Sequence, residues 1–217
     1  MTVVNNDFEE LYVKYTLAMR KLEAEINNLI ESYEFSNEEE IINHTMSRVK
    51  KFESAIKKME KRGIAPTPEN METFLCDMVG VRVVTPFMSN VYDVVDLIKS
   101  SSSIDIIEEK DYIKEPKESG YKSYHLDVLV PIEFNKEPIN VKAEIQVRSM
   151  AMDLWATLDH KLRYKLSDTI QTELCTEFLA RAKDVERFDA RMQSLKEEVQ
   201  DMKDSEEIEK PKRLIKR

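Results

Sequence analysis

Glycine is scarce in this chain, which has only three among its 217 residues, at Gly63, Gly80 and Gly120. The two cysteines, Cys76 and Cys175, lie far apart without CxxC spacing, so no zinc or redox motif is recognisable and a reducing compartment is expected. No run of about 18 apolar residues is present, and the N-terminus lacks the basic and apolar regions of a signal peptide. We therefore expect a cytoplasmic protein that contacts no membrane.

Positive charge is also in the minority, because 33 Lys and Arg residues stand against 42 Asp and Glu residues, giving a net charge of −9. This balance argues against broad DNA binding, which needs a basic face, although it allows a local basic pocket. The sequence contains neither a GxxxxGKS/T loop nor a GxGxxG turn, so a nucleotide is not expected on a P-loop or a Rossmann turn.

Hydrophobic periodicity predicts helices at both ends of the chain and strands in the middle. The predicted helices cover residues 7–33, 37–62, a short stretch from 67, 88–100, 150–166 and 169–204. The predicted strands cover residues 78–84, 104–113, 123–132 and 138–149. This order favours an α/β (α+β) fold, with a mixed four- to five-stranded sheet flanked by helices and with long N- and C-terminal helices.

The strand at 138–149 alternates most clearly between apolar and polar residues. Its polar face would carry Lys142, Glu144, Gln146 and Arg148. Such a strand is usually half-exposed with its charges in water. A second strand favours a functional explanation, because a strand that begins as early as residue 121 would carry four polar residues on one face: Tyr121, Ser123, His125 and Asp127. The combination suits a phosphorylated, aromatic substrate.

The strand at 78–84 carries one charge, Arg82, inside an apolar run, and Asp77 precedes it. A charge in a buried strand needs a partner or a ligand. We expect Asp77 and Glu144 to bind Mg²⁺, which proteins hold through one or two carboxylates together with substrate phosphates. The alternative for Asp77 is a local hydrogen bond at the start of the strand.

A basic stripe is predicted on the second helix, within SRVKKFESAIKKMEKR (47–62). Its members recur at steps of three and four: Arg48, Lys51, Ser54 and Lys58. A solvated helical face is the common explanation for a run of lysines, and a stripe that contacts phosphates is the other.

Four segments, in order along the chain, resemble the nucleotidyltransferase-like synthetase domain of the RelA/SpoT-homologue family. They are SRVK (47–50), DMVGVRVV (77–84), EEKDYIKEPKESGYKSYH (108–125) and AEIQVRSMAMDLWATLDHKLRYK (143–165). The chain is most similar to the short, single-domain, tetramer-forming small alarmone synthetases. The resemblance implies one synthetase domain over 1–217, with a catalytic core at about 40–166 and with the terminal helices 7–33 and 169–204 used for packing or oligomerisation.

The resemblance also implies an activity, that of a GTP pyrophosphokinase (a GTP diphosphokinase). Such an enzyme transfers the β,γ-pyrophosphate of ATP to the 3′-hydroxyl of GDP or GTP, and it yields AMP and the stringent-response alarmones ppGpp or pppGpp. The implied partners are ATP, GDP or GTP, Mg²⁺ and further copies of the chain in a homotetramer. An activating pppGpp site and regulation by single-stranded RNA are further family properties that no residue of the sequence locates.

Site residues follow from the same resemblance. Asp77 matches the Mg²⁺ ligand, and Glu144 matches the carboxylate that accepts the 3′-hydroxyl proton or holds the metal. The ATP-binding positions are Arg48 and Arg82 around the adenine, and Ser54 and Lys58 at the phosphates. The GDP/GTP-binding positions are Lys110, Lys117, Tyr121, His125, Gln146, Arg148 and Asp153.

Two of these positions depart from the family pattern. Lys110 stands where arginine is common, and Asp153 stands where some relatives have asparagine. A carboxylate accepts hydrogen bonds from guanine N1–H and N2–H₂, whereas adenine N1 is an acceptor, so Asp153 still favours guanine.

Gly120 lies among lysines and aromatics in KEPKESGYKSYH (114–125). We expect it to give a mobile loop that orders when GDP or GTP binds, with Tyr121 stacking on the base. Two other functions stay open. One is a nucleotidyltransferase of similar topology, although no DxD pair stands on a predicted strand. The other is a catalytically silent nucleotide- or RNA-binding regulator, for which the basic stripe and the tail KPKRLIKR would be the binding surface.

Overall fold

The computed structural model describes residues 3–163 and 174–209, with side chains in 7–162 and 174–205. This part of the chain contains helices α1 (Val3–Asn37), α2 (Phe52–Lys61), α3 (Pro68–Phe74), α4 (Met88–Ser100), α5 (Met150–Arg163) and α6 (Cys175–Glu209). Its strands are β1 (His44–Val49), β2 (Val79–Thr85), β3 (Asp105–Asp111), β4 (Tyr124–Phe134) and β5 (Glu137–Ser149). The predicted end of one helix at 166, the predicted start of the next at 169 and the basic tail lie outside the described residues.

The five strands form one mixed sheet in the order β1-β2-β5-β4-β3. β2 and β5 are parallel, and the other neighbouring strands are antiparallel. The predicted α/β (α+β) fold with a mixed sheet and long terminal helices is therefore confirmed. Within the described ranges, no helix is long and apolar enough to cross a membrane.

The predicted second helix at 37–62 is wrong over its first half. Residues 44–49 form the edge strand β1, which pairs antiparallel with β2, and the helix begins only at Phe52. Arg48 therefore lies on a strand, and Lys51 is the N-cap residue of α2. The basic stripe does not exist as one helical face, because only Ser54 and Lys58 of its four members lie within α2.

The apolar face of the sheet is the main core. β5 contributes the alternating residues that the sequence predicted, Val141, Ala143, Ile145 and Val147, all of them buried. Helix α1 covers this face with a stripe at helical spacing whose members are nearly inaccessible: Leu11, Tyr15, Ala18, Leu22, Ile26 and Ile30. Each large apolar side chain buried in this way contributes about 1.5–3 kcal/mol to folding. The opposite face of β2, β5 and β4 is left for polar residues.

The β5–α5 junction connects the sheet to the C-terminal helices. Ser149 ends β5 and caps α5, because its Oγ accepts a hydrogen bond from the backbone N–H of Met152 at 3.1 Å. The same hydroxyl donates to Asp189 Oδ2 of α6 at 2.5 Å. Trp155 of α5 packs edge-on against Phe178 of α6. These contacts hold helix α6 against the end of β5 and against α5.

Candidate active site

Strand register places the polar side chains of three neighbouring strands side by side. Across the β4–β5 pair, His125 faces Gln146 and Asp127 faces Glu144. Across the parallel β2–β5 pair, Gly80 lies beside Glu144, and Arg82 lies beside Gln146. Because residues paired across a sheet project to the same side, these side chains share one surface. The predicted polar faces of the strands therefore meet.

Two adjoining cavities open on this surface. The first, of about 230 Å³, is lined by Met46, Ser47, Arg48, Asp77, Gly80, Val81, Arg82, Glu144 and Gln146. The second, of about 570 Å³, is lined by Arg48, Arg82, Tyr121, Gln146, Arg148 and the α5 residues Ala156, Thr157, Asp159, His160 and Lys161. Both predicted adenine-binding arginines line both cavities and so mark the boundary between them.

Asp77 lies at the floor of the first cavity, just before β2. Its Oδ2 accepts hydrogen bonds from Lys50 Nζ at 2.6 Å and from Lys58 Nζ at 2.8 Å. Burial would raise the pKa of Asp77, but these two ammonium groups outweigh burial and hold the pKa below its usual value. The carboxylate is therefore ionised. The alternative of a purely local hydrogen bond does not describe these contacts, since both partners are lysines from other elements.

Lys50 was missed among the site residues, although it belongs to the SRVK segment. Lys50 directly follows strand β1, and its ammonium group reaches Asp77 from there. The sequence pattern predicts a helix in this segment, so it does not predict this contact. Ser54, by contrast, is exposed on α2 and lines neither of the two cavities.

The residues around Asp77 fit a magnesium ion. Asp77 Oδ1 is buried and has no hydrogen-bond partner among the described residues, which leaves one carboxylate oxygen for a cation. Within those same residues no three His, Cys, Asp or Glu side chains come together. These residues therefore do not form a site in which protein groups alone coordinate the metal. Mg²⁺ usually binds one or two carboxylates and takes its other ligands from substrate phosphates and water.

Glu144 is held at both carboxylate oxygens. His125 Nδ1 lies 3.0 Å from Oε1, and the side-chain amide of Gln146 donates to Oε2. Burial would raise the pKa of Glu144, but the hydrogen bonds and charge of its neighbours lower it, with His125 contributing most. Glu144 therefore stays ionised with a fixed orientation, beside the first cavity.

Tyr121 and Arg148 continue this arrangement into the second cavity. The Tyr121 hydroxyl lies 2.8 Å from His125 Nε2, and Arg148 Nη2 donates to the same hydroxyl at 2.5 Å and to Gln146 Oε1 at 2.7 Å. Arg148 is only 4% exposed, so its charge needs these partners.

Asp153, in the first turn of α5, pairs with arginines that line the two cavities. Its Oδ1 lies 3.2 Å from Arg82 Nη1 and 3.2 Å from Arg148 Nη1. One carboxylate oxygen thus pairs with two arginines. Arg82 lines both cavities, and Arg148 lines the second. The predicted contact of Asp153 with guanine has to form alongside these ion pairs.

The predicted acceptor-site lysines lie on the β3–β4 side. Lys110 Nζ contacts Asp127 Oδ2 at 3.0 Å and Glu108 Oε2 at 2.7 Å. Lys117 Nζ lies over the rings of Tyr112 and Tyr121, 4.4 Å and 5.0 Å from their centroids.

Burial lowers the pKa of Lys117, opposed by the charge of Glu144. Tyr112, which was missed, packs edge-on against His125 with a centroid distance of 5.1 Å. The run KDYIKEP contains it, but nothing in the sequence distinguishes it from a core tyrosine.

The structure gives Gly120 a different explanation from the expected mobility. Its φ is +79°, a left-handed conformation that L side chains rarely adopt. A Cβ on this residue would lie 2.4 Å from Cβ of Ala182 on α6. The loop is also tied to α6 by an ion pair between Lys122 and Glu186. A steric requirement for close packing on α6 therefore accounts for the glycine.

Comparison with known proteins identifies the family. The model described as "Region found in RelA / SpoT proteins" matches residues 47–169, which is more than half of the chain. The chain is also 35% identical to GTP pyrophosphokinase YwaC of Bacillus subtilis over 199 residues, covering 92% of this chain and 95% of the relative. This chain belongs to the RelA/SpoT family.

Solved structures agree with this assignment and extend it to small alarmone synthetases. The crystal structure of small alarmone synthetase 1 from Bacillus subtilis bound to its product pppGpp matches with a TM-score of 0.82 and 30% identity, covering 89% of this chain and 98% of that one. The same synthetase bound to AMPCPP matches with a TM-score of 0.76 and 28% identity, covering 90% and 99%.

Proposed function

We propose that this chain is a GTP pyrophosphokinase of the small alarmone synthetase type. It transfers the β,γ-pyrophosphate of ATP to the 3′-hydroxyl of GDP or GTP. The observation that carries the proposal is the pair of adjoining cavities, which share Arg48, Arg82 and Gln146, with the fixed carboxylate of Glu144 in the wall of the first. Two nucleotides must bind next to each other for this transfer, and the surface offers two neighbouring sites.

The first cavity is the proposed ATP site. Arg48 and Arg82 reach it from adjacent strands, and guanidinium planes stack well on an adenine ring. Lys58 already faces Asp77 and provides positive charge for the phosphates. Ser54 stays a proposed phosphate contact that requires the nucleotide to extend along α2. A relative bound to AMPCPP supports a donor nucleotide site in this fold.

The second cavity is the proposed GDP or GTP site. The aromatic ring of Tyr121 lines this cavity, and the proposed phosphate contacts are Lys110, Lys117 and His125. The two ring nitrogens of His125 contact Tyr121 and Glu144, so a phosphate contact by His125 requires one of these bonds to be exchanged. Gln146 and Arg148 belong to its polar wall, and the proposed guanine contact Asp153 is paired with Arg148. A relative bound to pppGpp supports a guanosine nucleotide in this fold.

The chemistry is mainly positioning and charge neutralisation, as in other phosphoryl transfers. The bond between the acceptor 3′-oxygen and the β-phosphorus forms while the bond from that phosphorus to the α–β bridging oxygen breaks, and AMP leaves. Glu144, ionised and fixed by His125 and Gln146, is placed to take the 3′-hydroxyl proton. Mg²⁺, which Asp77 and Glu144 would hold, supplies positive charge for the phosphates when bound. Lys50 and Lys58 hold Asp77 ionised and oriented for that ion.

Product analysis tests the proposal. Purified protein with ATP, GTP and Mg²⁺ is expected to form AMP and pppGpp, and Glu144→Val is expected to abolish both while circular dichroism shows an intact fold. Release of inorganic pyrophosphate with nucleotide attachment would identify a nucleotidyltransferase instead. Nucleotide binding without turnover would identify a silent regulator.

The homotetramer is part of the same proposal. Helix α6 exposes large apolar side chains at steps of seven residues, Phe188, Leu195 and Met202, which are 60%, 49% and 66% exposed. Such a seam fits another helix. Light scattering coupled to size-exclusion chromatography is expected to give the mass of four chains, and Leu195→Glu is expected to lower it. Adding pppGpp or single-stranded RNA to the product assay tests the two proposed regulators.

A further inference from the structure

We propose that the hydroxyl of Tyr121 is a positioning group for Glu144, acting through His125, in addition to any stacking by the Tyr121 ring. The inference rests on the proposed function, because its catalytic consequence is measured in pyrophosphate transfer. It starts from a closed ring of hydrogen bonds, here called the five-residue ring, which has the members Arg148, Tyr121, His125, Glu144 and Gln146.

The five-residue ring closes through side chains alone. Arg148 Nη2 lies 2.5 Å from the Tyr121 hydroxyl, which lies 2.8 Å from His125 Nε2. His125 Nδ1 lies 3.0 Å from Glu144 Oε1, and Gln146 donates to the other oxygen of Glu144. The ring returns to Arg148, whose Nη2 lies 2.7 Å from Gln146 Oε1.

The donors and acceptors determine the direction of each bond. A guanidinium only donates and an ionised carboxylate only accepts, so Arg148 donates to Tyr121 and His125 donates to Glu144. His125 therefore carries a proton on Nδ1, and an Nε2 without a proton accepts a hydrogen bond. The positive charge of Arg148 at the tyrosine oxygen favours a hydroxyl proton that points away from it, toward Nε2. Tyr121 then donates to His125.

The consequence concerns the orientation of the carboxylate. His125 can hold Glu144 only while the imidazole plane stays fixed, and its second nitrogen is anchored by the Tyr121 hydroxyl. Without that hydroxyl the imidazole can turn about its Cβ–Cγ bond, and one side of Glu144 is released. Effective proton acceptance requires the base within hydrogen-bond reach of the 3′-hydroxyl, so a loosened carboxylate lowers the rate of transfer.

The hydroxyl and the ring of Tyr121 differ in the kind of contact they make. The hydroxyl makes the hydrogen bonds to Arg148 and His125. The ring packs against these two side chains and also lies beneath Lys117 and beside Tyr112. Removing the hydroxyl and removing the ring should therefore change different kinetic constants, which separates positioning from stacking.

The kinetic experiment compares Tyr121→Phe with Tyr121→Leu. Tyr121→Phe keeps the ring, so we expect kcat to fall about five- to tenfold while KM for GTP stays within about a factor of two. Tyr121→Leu also removes the stacking surface, so KM for GTP should rise by about tenfold or more. Tyr92→Phe is the matched control, because it removes one hydroxyl contact, at 3.3 Å from Asp111, outside the five-residue ring. An unchanged kcat in Tyr121→Phe overturns the proposal.

Nitrogen NMR of the imidazole gives a readout that needs no substrate. The chain has three histidines, and a spectrum of His125→Gln identifies the signals of His125 by their loss. We expect a protonated Nδ1 and an unprotonated, hydrogen-bonded Nε2 in the wild type, with the Nε2 signal shifting toward the free value in Tyr121→Phe. A protonated Nε2 in the neutral wild-type imidazole would contradict the five-residue ring of hydrogen bonds. An Nε2 signal that does not shift in Tyr121→Phe would contradict it as well. If the wild type makes no pppGpp, the proposed function fails while this measurement still decides the hydrogen bonds.

Discussion

Gly120 lies against Ala182 so closely that a Cβ on residue 120 would stand 2.4 Å from the Cβ of Ala182. This contact joins the loop that carries Tyr121 to helix α6, which begins beyond the region shared with the RelA/SpoT family model. The geometry of the proposed acceptor site therefore depends on an element outside the shared region.

The first prediction concerns Gly120→Ala. The change adds strain at a φ of +79° and a clash with Ala182, so we expect a loss of stability of about 2–4 kcal/mol and a higher KM for GTP. Gly63→Ala is the matched control. Its φ of +69° is strained in the same way, but a Cβ there meets nothing within 4 Å, so the loss should be about 1 kcal/mol. Chemical denaturation measures both.

A double variant tests the cause of that loss. Ala182→Gly removes the atom that a new Cβ at residue 120 would strike, so it should restore part of the stability lost in Gly120→Ala. If the changes in unfolding free energy of the two single variants simply add in the double variant, the contact between residues 120 and 182 is not the cause of the lost stability.

The second prediction concerns Gly80, which lies on the polar face of β2 beside Glu144 and lines the first cavity. A Cβ here meets only the backbone oxygen of Arg48, at 4.0 Å, so the fold should accept Gly80→Ala with an unchanged or slightly higher melting temperature. The methyl group would project into the proposed ATP site. We expect affinity for a non-hydrolysable ATP analogue to fall by about tenfold, measured by calorimetry. Unchanged affinity would place the donor nucleotide elsewhere.

The fold could be predicted from the sequence where hydrophobic periodicity is strong. The alternation of Val141, Ala143, Ile145 and Val147 in β5 and the apolar stripe of α1 both led to the observed elements. Strand β1 was missed because its burial alternates only weakly and it is stabilised by hydrogen bonds to β2, far along the chain. The adjacent run FESAIKKMEK does have helical spacing, so the predicted helix was extended too far toward the N-terminus.

The candidate site shows the same limit. Glu144, Gln146 and His125 could be placed on one surface because strand alternation has a period of two. Their hydrogen bonds to Tyr121 and Arg148 depend on the register between β4 and β5 and on the path of the loop before β4, and local patterns specify neither. Family resemblance pointed to these residues but not to their contacts with one another.

The third prediction is a pH dependence from Asp189, a buried carboxyl group on α6. Burial raises the pKa of Asp189, opposed by the hydrogen bond from Ser149 and by the charge of Lys122. The native pKa of Asp189 lies above the unfolded value of about 3.9, so the protonated carboxyl group is compatible with folding at low pH. The protein loses stability as the pH rises through the native pKa, because the buried group then becomes charged. Asp189→Asn does not titrate and keeps an oxygen that accepts from Ser149.

We therefore expect Asp189→Asn to be more stable than the wild type at neutral pH, with the difference shrinking as the pH falls toward about 4. Urea unfolding of both proteins across this pH range measures the difference. A constant difference at all pH values would mean that the effect comes from packing instead of charge. Asp184→Asn, an exposed carboxylate of the same helix paired with Arg181 and Arg187, serves as the comparison for a surface charge.

The fourth prediction concerns the magnesium requirement. Asp77→Asn keeps the shape of the side chain but removes the charge that faces Lys50 and Lys58, and an amide is a weaker ligand for a hard cation. We expect the Mg²⁺ concentration for half-maximal pppGpp formation to rise by about tenfold or more. Chelation of Mg²⁺ in the wild type should abolish product.

Asp127→Asn is the control that separates metal binding from the loss of a buried charge. Asp127 is a buried carboxylate and Asp77 a half-buried one, and each has one oxygen bound to lysine and the other without a partner among the described residues. Both substitutions should lower stability, because each removes a carboxylate partner from a lysine. Only Asp77→Asn should change the Mg²⁺ dependence. Equal shifts in the two variants would show that general loss of negative charge on this sheet face, and not a ligand at Asp77, sets the requirement for the ion.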